Sequence, residues 1–243
     1  MEWAETGLVI SVRAHGEHAA IVDLFTAGQG RHGGVVRGGA GRRMAPVLMP
    51  GNTVAAVWRA RTEDRLGVFT VEPLRAHAAA LLGDRLALAG VSSICALLVR
   101  ALPERAPHPG LHAATMTLIE AMVAAVPDWP VLYLRWELGL LAELGFGLDL
   151  ASCARTGARD GLVWISPRTG RAVTAAGAAG WEDRLLPLPP VLRGDAVGLA
   201  GLAAGLAVTG HFLQRALCAE PAARPLPEAR SRLADLLASR PVV

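Results

Sequence analysis

The sequence predicts an α+β protein in which a small N-terminal β-barrel is followed by an all-helical domain. Residues 7–72 contain short runs of strand-forming side chains separated by glycine. After Pro73 the pattern changes to alanine and leucine at helical spacing. A chain of 243 residues is long enough for two modest domains. We therefore expect a barrel over 1–73 and a helical domain over 74–243.

Five short strands are predicted in the first part of the chain. Closure into a barrel is favoured, because it leaves no long unpaired edge exposed. A partly open five-stranded barrel is also the architecture of the oligonucleotide-binding (OB) fold, although a fold alone does not establish a function. The predicted strands are Leu8–Val12, Ala19–Phe25, Gly34–Arg37, Thr53–Ala60 and Leu66–Val71.

The remainder of the chain is predicted to be helical, with one interruption. Prolines follow the first two helical patterns, and glycine ends the third. A segment rich in glycine and proline, at about 151–190, predicts a hairpin insert followed by a linker. The helical patterns are His77–Leu102, Leu111–Val126, Pro130–Gly145, Asp195–Cys218 and Glu228–Ser239.

The composition excludes several classes of enzyme. All 24 basic residues are arginine, so lysine-dependent Schiff-base chemistry and P-loop phosphate binding are ruled out. Cys95, Cys153 and Cys218 lie far apart, which indicates a reducing cytoplasm and not a disulfide framework. We expect no signal peptide. The apolar stretch Ala196–Gln214 contains several glycines and is expected to be a buried helix, with no membrane span.

Basic charge is concentrated in the barrel. Leu24–Thr62 contains six arginines and no acidic residue, which is a local charge of +6 against +3 for the whole chain. Arginine pairs with phosphate oxygens and stacks on bases, so this window predicts a nucleic-acid surface. A solvated basic loop without a partner is the alternative. The candidate nucleic-acid-binding residues are Arg31, Arg37, Arg42, Arg43, Arg59, Arg61 and Trp58.

Trp58 has two interpretations. It neighbours two of the arginines and is the best candidate for stacking on a base, but large aromatic residues in strands mostly fill barrel interiors. Phe25 and Phe69 lie in apolar runs and are expected in the core. With so few aromatic residues available, we expect binding to be mainly electrostatic and independent of sequence.

No pattern predicts catalysis or a cofactor. Gly28, Gly30 and Gly33 match G-x-G-x-x-G, but the glycine-rich segment that follows cannot form the helix which a dinucleotide site requires. Those glycines are interpreted as turn residues. The histidines do not form a metal-binding pair on a helix, and Cys153 has no base nearby in sequence. We therefore expect a protein that is not an enzyme.

Two blocks of sequence resemble the RecO family of bacterial recombinational repair proteins. The first block resembles the N-terminal barrel and basic loop of that family, and the second resembles the helical core that leads into a zinc-finger-like insert. Their order and spacing match over about residues 1–175. The matching segments are Gly7–Ile10, Arg13, Gly16–Glu17, Ile21–Thr26, Gly30, Val36–Gly39 and Arg42–Arg43, followed by Leu132–Glu137, Leu140–Leu141, Leu144–Gly145, Leu148–Leu150 and Cys153.

The sequence departs from the metal-bearing members of the family in the insert. Thr156 stands where the second cysteine of a C-x-x-C pair is expected, and no cysteine follows Gly170 before Cys218. One thiolate cannot supply four tetrahedral ligands. We therefore predict an insert without zinc, held by the packing of Trp164, Ile165 and Val173.

The resemblance implies a role in DNA repair. It implies binding of single- and double-stranded DNA, annealing of complementary strands, and cooperation with RecR in loading RecA onto strands coated by single-strand-binding protein (SSB). The acidic tail of SSB is expected to bind in the helical domain, and the protein is expected to be cytoplasmic and associated with the nucleoid. The alternative is a protein–protein adaptor with a helical docking domain that binds nucleic acid only weakly.

Overall fold

The computed structural model describes residues 1–62, 65–194, 201–217 and 225–239. The chain divides into two compact units. The first comprises residues 1–126 with 227–233, and the second comprises residues 127–226 with 234–243. The predicted α+β class is confirmed, with an N-terminal five-stranded sheet followed by a helical region. The domain boundary near Pro73 stays a prediction.

The N-terminal sheet closes on itself in the strand order β1-β2-β3-β5-β4. Closure depends on the length of β1, whose first half pairs with β4 and whose second half pairs with β2. Every pairing is antiparallel except that between β3 and β5. The strands are β1 (Glu2–His15), β2 (Ala19–Thr26), β3 (Gly30–Val36), β4 (Thr53–Arg59) and β5 (Val68–Arg75).

The inside of the closed sheet is filled by alternate residues of its strands. On β4, Val54, Ala56 and Trp58 are buried and the residues between them are more exposed, as the period of two predicts. On β2, burial is continuous from Val22 to Thr26, because the helices at Arg85–Ala101 and Pro109–Val123 pack against the outside of β1 and β2. Phe25 contacts the ring of His112 on that outer side. The predicted core positions of Phe25 and Phe69 are confirmed.

Between the closed sheet and residue 126, the described residues form the helices α1 (His77–Ala80), α2 (Arg85–Ala101) and α3 (Pro109–Val123). The prediction of one long helix over His77–Leu102 is therefore wrong. The side chain of Asp84 accepts hydrogen bonds from the N–H groups of Leu86 and Ala87, at 2.9 and 3.0 Å, and so starts a new helix. Alanine and leucine continue at helical spacing across the break, which is why the pattern concealed it.

The second unit combines helices with a small sheet. Within the predicted insert, β6 pairs with both β7 and β8, in the order β7-β6-β8. The predicted packing residues Ile165 and Val173 are buried, and Trp164 is half-buried. The elements are α4 (Trp129–Glu143), β6 (Leu162–Ile165), β7 (Ala172–Thr174), α5 (Ala175–Ala178), β8 (Leu186–Pro187) and α6 (Leu202–Leu217).

The last predicted helices agree with the structure where it describes them. Helix α6 covers the second part of the Asp195–Cys218 pattern, and residues 195–200 and 218 lie outside the described residues. Helix α7 runs over Glu228–Ala238. Among the residues that the structure describes, no helix combines the length and the apolar character needed to cross a membrane.

Candidate nucleic-acid interface

A groove opens on the closed sheet where β3 and β5 part. These strands pair only at Val35↔Val68 and Val36↔Phe69, after which β3 ends and β5 continues to Arg75. The groove has a volume of about 620 Å³. Valines, alanine and a methionine form most of its apolar lining, and no acidic residue is among the described residues that line it. Three of the predicted arginines line the groove, namely Arg37, Arg59 and Arg61.

The segment that connects β3 to β4 carries the exposed basic charge. Arg37, Arg42 and Arg43 are exposed there. Successive turns order the segment, with hydrogen bonds of 2.9 Å from Gly41 N to the Gly38 carbonyl and 3.0 Å from Met44 N to the Gly41 carbonyl. The guanidinium groups therefore project from a connection that its own backbone holds together.

The base of the same segment is fixed by a buried amide. Asn52 donates from Nδ2 to the carbonyls of Pro46 and Val47, at 2.8 and 3.2 Å. Its Oδ1 accepts a 3.0 Å hydrogen bond from Ala78 N at the start of α1. Leu48 is buried in the same core as the strands. The connection between β3 and β4 is thereby tied both to the sheet and to the first helix.

Arg59 is paired with a residue from outside the basic window. Its Nη2 donates to Oε1 of Glu2 at 2.7 Å, because the β1–β4 register places the two residues opposite each other. This hydrogen bond lowers the pKa of Glu2 and raises the pKa of Arg59. Both side chains are exposed. The pairing depends on long-range register, so the local charge count of the sequence could not reveal it.

Arg31 does not share the surface of the other arginines. Its side chain is 18% exposed. Nη1 donates to the carbonyls of Val99 and Leu102, at 2.7 and 3.1 Å, at the C-terminal end of α2. The carboxylates of Glu104 and Asp23 lie 3.6 and 4.0 Å from its other nitrogens. The guanidinium is engaged within the protein, which the basic window alone did not indicate.

Trp58 lies in the core of the sheet, as the alternative to a base-stacking role predicted. It is 2% exposed, and its indole N–H donates a 3.0 Å hydrogen bond to the carbonyl of Leu66. The ring of Trp3 is stacked on it at 6.0 Å. Gly67 has a positive φ of 70°, and a Cβ at that position would lie 2.4 Å from the indole. Packing on every side therefore leaves no indole face on which a base can stack in this conformation.

Two exposed arginines near this end of the sheet were missed by the sequence analysis. Arg65 follows the acidic pair Glu63–Asp64 and so lies outside the basic window. Arg105 follows α2 and donates from Nη2 to the carbonyl of Arg65 at 2.9 Å. The guanidinium of Arg105 also lies 6.0 Å from the ring centroid of Trp58. Arg65 is three residues from the window in sequence, whereas only the folding of the chain brings Arg105 close to it.

Cys153 has the hydrogen-bonded surroundings of a thiolate. Its sulfur accepts from the N–H groups of Thr156 and Thr174, at 3.4 and 3.3 Å. Burial opposes ionisation, but these hydrogen bonds outweigh it and lower the pKa of the thiol to about 6. No group of three metal-ligating side chains is found within the described ranges, and Cys218 lies outside them. The insert without zinc stays a prediction.

Comparison with known proteins identifies the family. Residues 1–77 match the family model described as "Recombination protein O N terminal", and residues 82–229 match "Recombination protein O C terminal". The chain is 56% identical over 239 residues to "DNA repair protein RecO" of Cereibacter sphaeroides, with 98% of this chain and 99% of the relative covered.

Relatives from other genera give the same result. The chain is 54% identical to "DNA repair protein RecO" of Jannaschia sp., over 98% of this chain and 96% of the relative. It is 50% identical to the protein of the same name from Roseobacter denitrificans, over 99% of this chain and 100% of the relative. The matches cover both compact units, and the chain therefore belongs to the RecO family of DNA repair proteins.

Proposed function

We propose that this chain is a mediator of recombinational repair that binds single- and double-stranded DNA and anneals complementary strands. The observation that carries the proposal is the cluster of exposed arginines on the β3–β4 connection and around the groove, where no acidic residue lines the described surface. We propose Arg37, Arg42, Arg43, Arg59 and Arg61 as the phosphate contacts. Arg31 and Trp58 are left out of this set, because internal contacts hold both.

The closed strand order supports a further detail of the proposal. We propose that the sheet is a barrel of the OB type, in which arginines follow the backbone of the strand and read no sequence. Each arginine that neutralises a phosphate releases condensed counterions, so affinity falls steeply with salt. No exposed aromatic ring is among the described residues that line the groove, so we expect the electrostatic part of the binding free energy to dominate.

Annealing requires no chemical step in this scheme. Two complementary strands repel each other as polyanions, and a surface rich in arginine screens that repulsion when it holds both. We therefore propose a protein without enzymatic activity or cofactor that works on chromosomal DNA in the nucleoid. The proposed protein partners are RecR, the C-terminal tail of SSB, which we propose to bind in the helical domain, and RecA indirectly.

A salt series tests the DNA surface. We would measure the affinity for a labelled single strand of about 30 nucleotides at several salt concentrations, for the wild type and for Arg42→Ala/Arg43→Ala. The slope of log K against log salt should become shallower by about 0.7 for each phosphate that the variant no longer neutralises. Arg13→Ala/Arg85→Ala is the matched control, since it removes two other exposed charges of the same unit.

The outcomes separate the DNA mediator from the protein adaptor. An unchanged slope in Arg42→Ala/Arg43→Ala, or an equal change in the control pair, would show that the β3–β4 connection does not contact DNA. If the wild type fails to bind even at low salt, the mediator proposal is wrong and the adaptor is favoured. A strand-annealing assay with the same variants then tests whether the surface that binds DNA also accelerates pairing.

A further inference from the structure

The groove exposes a strand edge as well as arginines. Val35 N donates to the carbonyl of Gly67 at 3.0 Å, so the backbone groups of Gly67 face β3. Because alternate residues of a strand direct their N–H and C=O groups to the same side, those of Phe69 and Val71 also face that side. β3 ends at Val36, opposite Phe69. The N–H and C=O of Val71 therefore point into the groove, beyond the last residue of β3, and Pro73, the next residue on that side, offers a C=O but no N–H.

The lining of this groove suits a peptide better than a base. Met44, Val68 and Val71 supply aliphatic surface, whereas Val36 and Phe69 line the groove but are only 3% and 2% exposed. Single-stranded nucleic acid gains much of its contact energy by stacking on exposed aromatic rings, and none lines the groove among the described residues. An open strand edge above aliphatic pockets is the arrangement that binds an extended peptide by strand addition.

The arginines define the charge of the partner. Arg37, Arg59 and Arg61 line the groove, and no acidic residue is among its described lining, although Glu2 from outside that lining pairs with Arg59. Arg59 already holds one carboxylate, that of Glu2, at 2.7 Å. Hydrogen bonds between guanidinium and carboxylate groups are among the stronger ones in proteins. Charge complementarity therefore favours an acidic segment.

We propose that this groove binds an extended acidic peptide with apolar side chains, which adds as a strand to the free edge of β5. The peptide's carboxylates pair with the arginines, and its apolar side chains cover the aliphatic lining. This peptide site is additional to the proposed DNA function, and a bound peptide would reduce DNA binding at the groove. Because Arg37, Arg59 and Arg61 serve both ligands, the peptide and single-stranded DNA compete at this end of the sheet.

The test uses a fluorescein-labelled peptide in which aspartate alternates with isoleucine, and it measures fluorescence anisotropy with the full chain. Val71→Pro removes the N–H that faces the groove and leaves the neighbouring hydrogen bonds to β4 in place. We expect it to weaken peptide binding about tenfold, which corresponds to one strong backbone hydrogen bond. Binding of single-stranded DNA should change less than about twofold, because the phosphate contacts that we propose are guanidinium groups and this substitution leaves them all in place.

A second variant keeps the proposal testable if Val71→Pro fails to fold. Arg61→Glu reverses an exposed charge and should weaken peptide binding by about tenfold or more. The matched control Arg13→Glu reverses a charge on β1, which is not among the groove's lining residues. It should leave peptide affinity within about twofold. A peptide with lysine in place of aspartate should not bind, and unlabelled acidic peptide should displace labelled DNA.

The results distinguish this inference from the DNA proposal. If the wild type binds DNA but not the acidic peptide, the peptide site is overturned and the DNA surface remains. Equal peptide affinity for Val71→Pro and the wild type would overturn strand addition. If the protein binds the peptide but binds no DNA at low salt, the groove is a protein-docking site and the proposed DNA function is wrong.

Discussion

The guanidinium of Arg31 on β3 donates a 2.7 Å hydrogen bond to the carbonyl of Val99 in the last turn of α2. The same nitrogen also reaches the carbonyl of Leu102, the residue that caps this helix. The last carbonyls of a helix have no partner within it and carry partial negative charge, which a buried cation stabilises. The backbone N–H of Arg105 returns a 2.7 Å hydrogen bond to the Arg31 carbonyl. Arg31 thereby joins the closed sheet to the first long helix.

Arg31→Ala should therefore lower stability and spare DNA binding. Loss of the partly buried cation leaves helix carbonyls and the Asp23 carboxylate without their partner, so we expect the free energy of unfolding to fall by about 2–4 kcal/mol. Urea unfolding measures this loss, and DNA affinity is then compared where both proteins are folded. Arg42→Ala should show the opposite pattern. Weaker DNA binding by fully folded Arg31→Ala would contradict this structural role.

Substitutions at Trp58 should also affect folding and not binding. Trp58→Ala removes a fully enclosed ring, and we expect a loss of about 3–5 kcal/mol in the free energy of unfolding. Trp58→Phe keeps aromatic volume but loses the hydrogen bond to Leu66, which costs about 1 kcal/mol or somewhat more. Thermal or urea unfolding provides the measurement. A fall in the DNA affinity of stably folded Trp58→Phe, larger than in Arg13→Ala, would show that the indole contacts DNA.

The sequence predicted the fold where local pattern determines structure. The short runs of strand-forming side chains and the glycines between them are local signals, and they predicted the five-stranded sheet. The break in the first helix was missed, because the alanine and leucine pattern continues past it. Asp84 and the glycine before it were the signal, an N-cap within an apparently continuous helix.

The candidate site was only partly predictable, for a different reason. The basic window correctly identified a segment with exposed arginines, but charge counting cannot tell which guanidinium is occupied. The guanidinium of Arg31 is hydrogen-bonded to carbonyls at the end of α2, about 70 residues away in sequence, and is therefore not available to a ligand. Arg59 is occupied by Glu2 through strand register, and Arg105 approaches Trp58 only after folding. Each of these contacts is long-range, and no local pattern encodes it.

His32 should make the first unit sensitive to acid. The ring is buried among Trp3, Trp58 and Phe69, and neither nitrogen has a hydrogen-bond partner in the described part of the chain. Burial, with a smaller contribution from the charge of Arg105, lowers its pKa to about 4. A lowered histidine pKa means that the folded state binds the proton more weakly than the unfolded state.

The contribution of His32 to stability is therefore complete above about pH 6.5 and is lost progressively as the pH falls toward 4. A pKa lowered from 6.5 to about 4 corresponds to at most about 3–4 kcal/mol. Urea unfolding at pH 7.5 and pH 4.5 measures the loss. Burial also lowers the pKa of His77 and His112, so wild type and His32→Phe must be compared. Equal acid destabilisation of the two proteins would show that His32 is not the group responsible.

Glu2→Gln should strengthen DNA binding. The guanidinium of Arg59 is hydrogen-bonded to the Glu2 carboxylate at 2.7 Å. A phosphate must displace this carboxylate before the phosphate can bind the guanidinium. Glutamine lacks the charge that makes this pairing strong. We therefore expect higher affinity at low salt, and a slope of log K against log salt that steepens by up to about 0.7, the value for one additional neutralised phosphate.

The control must separate the release of Arg59 from the change in net charge. Glu17→Gln removes the same charge at an exposed position in the turn between β1 and β2, where no arginine is paired with it in the described part of the chain. Both variants become more basic by one unit, but only Glu2→Gln frees a proposed phosphate-binding group. If the two variants raise the affinity and the slope equally, general electrostatic attraction explains the gain. A larger gain in Glu2→Gln, abolished by adding Arg59→Ala, identifies Arg59 as a phosphate-binding residue that Glu2 restrains.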